Sequence, residues 1–261
     1  MENITSISNP KIKLLMTLRT KSAKRKEAGL FLIDGLREVK EAIRNGLIIE
    51  QLFYCEQLVD NFKEIQNLGQ ELTKLSKEAF LKVCYKESPD GVIALAKAVS
   101  KSLKDLKVTK NSIFLVLEAV EKPGNLGAIL RTARAGGVSG IILNNQQTDI
   151  FNPNVIRASQ GFVFAIPVVE ANTKETIDFF AKNKVKSFAT SLRAKKSYIK
   201  ADYSGPSAFV FGTEADGLSD YWQNSASELI KIPMMREMDS LNVSVSAALV
   251  VFEALRQRGK L

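Results

Sequence analysis

The stretch IFLVLEAVEKPGNLGAILRTARAGGVSGIIL (residues 113–143) decides the fold class. Its first eight residues, IFLVLEAV (113–120), are an almost unbroken apolar run, the pattern of a strand buried in a parallel sheet. Pro123-Gly124 marks a turn, and Asn125 is a candidate N-cap for the helix that follows. Ile129, Leu130 and Ala133 give that helix a packing face, Gly136-Gly137 closes it, and GIIL (140–143) supplies the next strand. The alternation continues downstream with FVFAIPVV (162–169), a helix TKETIDFFAKN (173–183), strands KSFAT, AFVFG and LIKIP, and a last helix from about Val243 to Arg258. Strands alternating with helices predict an α/β domain built on a parallel sheet.

Upstream lies a smaller α/β pattern. FLIDG (31–35) reads as a strand, LREVKEAIRNG as a helix stopping at Gly46, LIIEQLFYC as a strand and FKEIQNLG as a short helix. LTKL and VIALA are further strands, the last following the turn signal SPDG (88–91). The segment 96–112 is polar, Lys-rich and poor in large apolar residues. The expected organisation is a basic arm and first domain over residues 1–100, a linker over 101–112 and a second domain over 113–261.

Composition narrows the chemistry. The 261 residues carry 37 Lys+Arg against 28 Asp+Glu, a net charge of +9 that favours polyanionic partners, nucleic acid first. Up to Lys26 seven basic residues (Lys11, Lys13, Arg19, Lys21, Lys24, Arg25 and Lys26) face one acid, Glu2, so the arm holds +6 of that total and points to phosphate contact. A second basic run without acids comprises Lys182, Lys184, Lys186, Arg193, Lys195, Lys196 and Lys200. Cys55 and Cys84 are too few for a disulfide framework and fit a reducing cytoplasm. No apolar run approaches the ~18 residues of a membrane span, and the opening MENITSISNPKIK lacks a secretory apolar core. The chain has no histidine, which removes imidazole acid–base catalysis, Ser-His nucleophiles and His-ligated zinc. P-loop and G-x-G-x-x-G signatures are absent as well.

Three strand-to-loop junctions stand out. EKPGNLGAILRTARAGG (121–137) carries Asn125, Arg131 and Arg134, the two arginines on one face; alone it also reads as a capped amphipathic helix with solvated arginines. FVFGTEADGLS (209–219) ends a strand at Gly212, followed by Glu214 and Gly217, with glycines that let a ligand approach the backbone; an ordinary turn is the alternative. IKIPMMREMDSLNVSVSAALVVFEAL (230–255) leads through Ser240-Leu241-Asn242 into a helix that Ser240 or Asn242 caps, rich in small residues at its start.

In this order and spacing the junctions resemble the three motifs of the SpoU (TrmH-like) family of RNA ribose 2′-O-methyltransferases, within the SPOUT superfamily. The resemblance covers about residues 113–258, and RASQGFVFAIPV (157–168) is similar to the family's segment between the first two motifs. The upstream module is similar to the ribosomal-protein-like substrate-binding domain that often precedes this catalytic domain. The resemblance implies a parallel α/β domain with a deep trefoil knot, something periodicity does not predict. It implies S-adenosylmethionine as methyl donor, held mainly by backbone groups near Thr190, Gly212, Ile232 and Leu241. It places Arg131 at the catalytic centre with Asn125, Glu214, Ser240 and Asn242 around it. A guanidinium donates hydrogen bonds and does not accept protons near neutral pH, so Arg131 is expected to grip a phosphate and steady the developing alkoxide. Glu214 is either part of this constellation or a structural carboxylate capping nearby amides. The layout also implies a structured RNA partner, ribosomal RNA of the large subunit ahead of tRNA, and a homodimer through the C-terminal helix, with no metal and no membrane. A non-catalytic RNA-binding protein of the same architecture is the rival reading.

Overall fold

The computed structural model describes residues 2–213, 216–235 and 240–261. The chain divides into two units. One comprises Met1–Val99 with Asp149–Ala165, the other Ser100–Thr148 with Ile166–Leu261.

The first unit begins with β1 (Glu2–Ile4), α1 (Pro10–Thr20), α2 (Ser22–Ala28), β2 (Leu30–Asp34) and α3 (Leu36–Arg44). It continues with β3 (Ile49–Tyr54), α4 (Phe62–Gln66), β4 (Leu72–Leu75), α5 (Lys77–Val83) and β5 (Val92–Lys97). The five strands form a mixed sheet in the order β1-β4-β3-β5-β2. The basic arm is therefore helical: Asn9 caps α1 by accepting from the Lys11 N–H at 2.8 Å, and Pro10 supplies the preset first turn. Ile12, Leu15 and Leu18 fix it to a core with Phe53, Leu75 and Phe80. Cys84 is buried with its Sγ donating to Asp34 Oδ2 at 3.3 Å; burial and then the carboxylate push its thiol up to about 12.

The second unit opens earlier than the expected boundary. Residues 101–112 are not a free linker, because Leu106 is buried in the second core with Leu103 and Val108 packed beside it. Then come β6 (Ile113–Glu118), α6 (Pro123–Ala135) and β7 (Gly140–Asn144). The chain next supplies α7 (Pro153–Ala158) to the first unit, then returns with β8 (Val168–Glu170), α8 (Thr173–Lys182), β9 (Lys186–Thr190) and β10 (Lys196–Ser197). It finishes with β11 (Ser207–Phe211), α9 (Asp220–Ser225), β12 (Glu228–Lys231) and α10 (Val243–Gln257). The sheet order is β10-β12-β9-β11-β6-β7-β8, and every pairing is parallel. Both faces of β6 are covered, since Leu115 is as fully buried as Phe114 and Val116. Phe180 of α8 and Trp222 of α9 pack with Phe114, Val116 and Val210, while α10 lies against α6 and β11.

Two expectations fail locally. Helix α6 starts at Pro123, with Lys122 in the N-cap position, so Asn125 is the third helical residue and not the N-cap. The run FVFAIPVV is not one strand: Gly161 at φ 81° opens a short 3₁₀ turn over Phe162–Phe164, and only Val168–Glu170 joins the sheet. Phe164 packs on Phe31 of the first unit, with ring centroids 5.9 Å apart, and Phe151 stacks on the same ring at 4.3 Å. Segment 149–165 thus spends its apolar residues on the first unit's core. Its polar anchor is a buried ion pair, Arg25 to Asp149 at 2.6 Å, which also receives the Ser22 hydroxyl at 2.9 Å.

Candidate methyl-donor and RNA site

A parallel sheet places the C-terminal ends of all its strands on one edge, and ligands settle there where the strand order reverses. Here the reversal falls between β6 and β11: the chain runs outward through β7 and β8, then crosses back to build β9 and β11 on the other side. Three adjoining clefts open along this edge. The main one, about 280 Å³, is lined by the loops after β9, β11 and β12 and by the start of α10. Of the residues singled out from sequence, Thr190, Gly212, Ile232, Leu241 and Ser240 all line it. Phe211, Leu218 and Met234 add apolar wall, against which an aromatic ring packs favourably.

Gly212 shows why the wall is backbone. A Cβ there would lie 2.0 Å from the Gly217 carbonyl oxygen and 2.1 Å from its carbon. The close approach is held by a two-way pairing, Thr213 N–H to Gly217 C=O at 3.0 Å and Gly217 N–H to Thr213 C=O at 3.2 Å. Gly217 itself sits at φ 70°, and the Thr213 hydroxyl accepts from the Asp216 N–H at 2.9 Å. The Thr190 hydroxyl is committed to Val210 C=O, donating to it at 2.9 Å.

Asn125 lines a second cleft, about 180 Å³, bounded by Ala119, Lys122 and Val243 and sharing Gly212, Thr213 and Asp216 with the first. Asn242 caps α10 by accepting from the Ser244 N–H at 3.0 Å, and its amide donates to Asn125 Oδ1 at 3.1 Å. The first and third motifs are therefore joined side chain to side chain. Arg131 is different. It lies exposed in the third turn of α6, about 9 Å along the axis from Asn125, lines none of the three clefts and has no ion pair among the described residues. Glu214 lies outside the described residues.

Glu118 escaped the sequence reading. At the end of β6 and only 4% exposed, it accepts from the Ser219 N–H at 2.8 Å and the Ser219 hydroxyl at 2.7 Å. Its signal was an acid closing an otherwise apolar strand. After it, Ala119 adopts φ 53° and Asn145 after β7 adopts φ 50°, two non-glycine residues in a costly backbone region on the same edge. Both line a third, shallower cleft of about 400 Å³ with Asp220 and Arg193. Asn144 braces this edge from within, its amide donating to Ala171 C=O at 2.7 Å and its carbonyl accepting from Trp222 Nε1 at 3.1 Å.

The basic runs are redistributed. Arg25 is buried against Asp149 and faces no phosphate, and Lys11 and Lys24 pair with Glu2 and Glu27. Lys186 and Lys196 both pair with Glu228, while Arg193 stands 78% exposed at the main cleft's mouth beside the exposed Leu192. Lys182 and Lys184 sit before β9, at the sheet's opposite edge. Among the described residues no group of three or more potential metal ligands occurs, and no helix is long and apolar enough to cross a membrane.

The fold and clefts define a parallel α/β protein with a nucleotide-sized cleft along the C-terminal edge of its sheet. The chain belongs to the SpoU rRNA Methylase family, whose profile matches residues 112–252; an MRM3-like substrate binding domain matches residues 9–94. It is 31% identical to the 23S rRNA (guanosine(2553)-2′-O)-methyltransferase RlmP of Bacillus subtilis, over 97% of this chain and 98% of that protein. It is 26% identical to the 23S rRNA (uridine(2479)-2′-O)-methyltransferase of Streptomyces viridochromogenes, over 90% and 85%. Among solved structures, an AdoMet-bound rRNA methyltransferase from Sinorhizobium meliloti superposes with TM-score 0.90 at 31% identity, covering 98% of this chain and 97% of that one.

Proposed function

We propose that this protein methylates a ribose 2′-hydroxyl of large-subunit ribosomal RNA, using S-adenosylmethionine, as a cytoplasmic homodimer. The observation that carries the reading is the main cleft, where Thr190, Gly212, Ile232 and Leu241 converge from the loops after three strands beside the Asn125–Asn242 pair. The residues suit the donor: Gly212 leaves no side chain between cleft and backbone, and Ile232 and Leu241 offer apolar surface to an adenine. Bound there, S-adenosylmethionine supplies a methyl group on a sulfonium, activated without metal or covalent catalysis.

The chain's own groups then have to orient a hydroxyl and manage its proton. Asn125 and Asn242 fix each other's amides, and Ser240 on the same loop adds a hydroxyl at the cleft. Arg131, exposed and without an ion pair among the described residues, is placed to hold an RNA phosphate and draw the polynucleotide across α6. Dimerisation is supported by α10, where Val245, Leu249 and Phe252 form an exposed apolar stripe at helical spacing. Such a stripe on a charged protein fits a second copy of itself.

The test is calorimetric titration with S-adenosylmethionine and S-adenosylhomocysteine, followed by methyl transfer to 23S, 16S and transfer RNA and mapping of the modified ribose. One cofactor site per chain with transfer to 23S RNA supports the reading. Cofactor binding with transfer only to tRNA moves the substrate, and no cofactor binding with or without RNA leaves an RNA-binding protein. Leu249→Glu should convert the dimer to monomer in sedimentation; an unchanged dimer would place the interface elsewhere.

A further inference from the structure

The second unit's sheet has a basic edge at the end opposite the clefts. In KSLKDLKVTKNS (101–112), Lys101, Lys104, Lys107 and Lys110 recur at every third position, all exposed and none in an ion pair among the described residues. Leu103 and Leu106 keep the same period in another phase and pack into the core with Val108. A 3₁₀ turn over Leu103–Asp105 has three residues per turn, which separates the two sets. The segment is held in shape. Asp105 Oδ2 accepts from the Ser102 N–H at 2.7 Å and the Ser102 hydroxyl at 3.0 Å, and the Thr109 N–H donates to Ser112 Oγ at 2.9 Å.

Lys182 and Lys184, at the end of α8, are also exposed and without an ion pair among the described residues. They enter the sheet beside the first group: Ile113 of β6 pairs with Ser207 of β11, which pairs in turn with Lys186 of β9. Neighbouring strands stand about 4.8 Å apart, so the starts of β6 and β9 are about 10 Å apart. Arg258 locks this edge by donating to the carbonyls of Asn111 at 2.7 Å, Tyr203 at 2.8 Å and Gly205 at 2.6 Å. The nearby acids are engaged: Asp105 on Ser102, Asp202 accepting from the Ser204 N–H at 3.0 Å, and Glu228 on both Lys186 and Lys196. Lys184 adopts φ 55° just after α8, a position where glycine avoids the strain of a side chain. The charge is kept there at a cost in stability.

We propose that this edge is a second RNA contact, in which the lysines of 101–110 with Lys182 and Lys184 hold backbone phosphates of the substrate RNA away from the methylated ribose. The identity of the partner rests on the RNA methyltransferase reading above. The chemistry is that of phosphate contact: six ammonium groups, and no exposed large apolar side chain in 101–112 or 182–186 on which a base would stack. Strand β11, five residues long, separates this edge from the clefts by about 16 Å. A single nucleotide in the clefts does not reach it, whereas a folded RNA does. The contact is therefore independent of sequence and adds affinity and orientation without choosing the nucleotide.

The test measures binding of the whole protein to unmodified 23S RNA across potassium chloride concentrations. Changing Lys101, Lys104, Lys107 and Lys110 together to Gln should lower the slope of log affinity against log salt by about 3–4 and weaken binding at least about a hundredfold near physiological salt. The same four positions changed to Arg should bind within about threefold of the unaltered protein, since the charge is kept. A control with Gln at the ion-paired Lys40, Lys74, Lys97 and Lys174 loses the same net charge and should keep most of the slope. Lys184→Gly should raise the unfolding midpoint by about 1–3 °C while weakening RNA binding about three- to fivefold. A lysine serving only the dipole of α8 gives the reverse, a lower midpoint with RNA affinity unchanged. S-adenosylhomocysteine affinity should stay within about threefold in every variant, because the edge is remote from the clefts. A slope in the fourfold Gln protein within about one of the unaltered value, or an equal fall in the control, overturns the proposal. Methyl transfer is read separately: full lysine-dependent binding of 23S RNA without transfer overturns the functional reading and leaves the contact supported.

Discussion

Replacing Gly212 by alanine tests whether the cofactor wall is built from backbone. The added Cβ would lie 2.0 Å from the Gly217 carbonyl oxygen, 2.1 Å from its carbon and 2.5 Å from the Leu218 nitrogen. All three atoms are main chain, so no rotamer change relieves the overlap. Ordinary contact begins near 3.4 Å, and the loop has to retreat by about 1.4 Å. That movement breaks both hydrogen bonds of the Thr213–Gly217 pairing, each worth ~0.5–1.5 kcal/mol. The expected loss is about 1–3 kcal/mol of loop organisation, which weakens S-adenosylhomocysteine binding by roughly 5–150-fold. Buried β11 ends one residue earlier at Phe211, so the sheet survives and far-ultraviolet dichroism stays unchanged. Calorimetry on the Gly212→Ala protein reads the effect directly. An affinity equal to that of the unaltered protein would show that the loop yields freely and that its close packing does not shape the cleft.

Arg131→Ala should abolish methyl transfer while S-adenosylhomocysteine affinity stays within about threefold, because the side chain touches no cleft; equal loss of both would place it in the cofactor wall instead. Asp149→Ala strands the buried Arg25 guanidinium, 4% exposed, and should cost the first unit about 3–5 kcal/mol in denaturant unfolding. An Arg25→Met partner change should recover part of that loss. The Cys84 thiol, pushed up by burial to about 12, stays protonated in the folded chain while the unfolded chain ionises near 9. Stability from this group is thus complete below pH 9 and declines as the pH rises from 9 toward 12, a slope that Cys84→Ala should flatten in alkaline unfolding curves.

The catalytic unit was legible because its strands are apolar on both faces and its helices periodic, so KSFAT, AFVFG and the helix from Val243 fall within a residue or two of their observed bounds. The positions expected to hold the cofactor, Thr190, Gly212, Ile232 and Leu241, came through family resemblance, and all four line one cleft. What stayed hidden was long-range pairing. Nothing local tells that Glu118 meets Ser219 101 residues on, or that Asn242 reaches Asn125. Capping was misassigned at Asn125 because Pro123 fills the first helical position just as readily, and tertiary packing then fixed the register. FVFAIPVV misled because apolar content signals burial and not which core does the burying. Arg25 illustrates the reverse error: a basic run reads as surface, and one member of it is core.

The detour of residues 149–165 has a consequence for biosynthesis. The first unit's sheet is fully translated by residue 97, yet the carboxylate that neutralises Arg25 and the Phe151 ring that stacks on Phe31 lie about fifty residues further on, and Phe164 later still. At ~5–20 residues per second, that is a wait of about 3–10 seconds. Throughout it the nascent unit carries an uncompensated guanidinium and an uncovered aromatic face. Its final consolidation is timed by the synthesis of β6, α6 and β7, so the first unit is finished only after the second unit's sheet has been started.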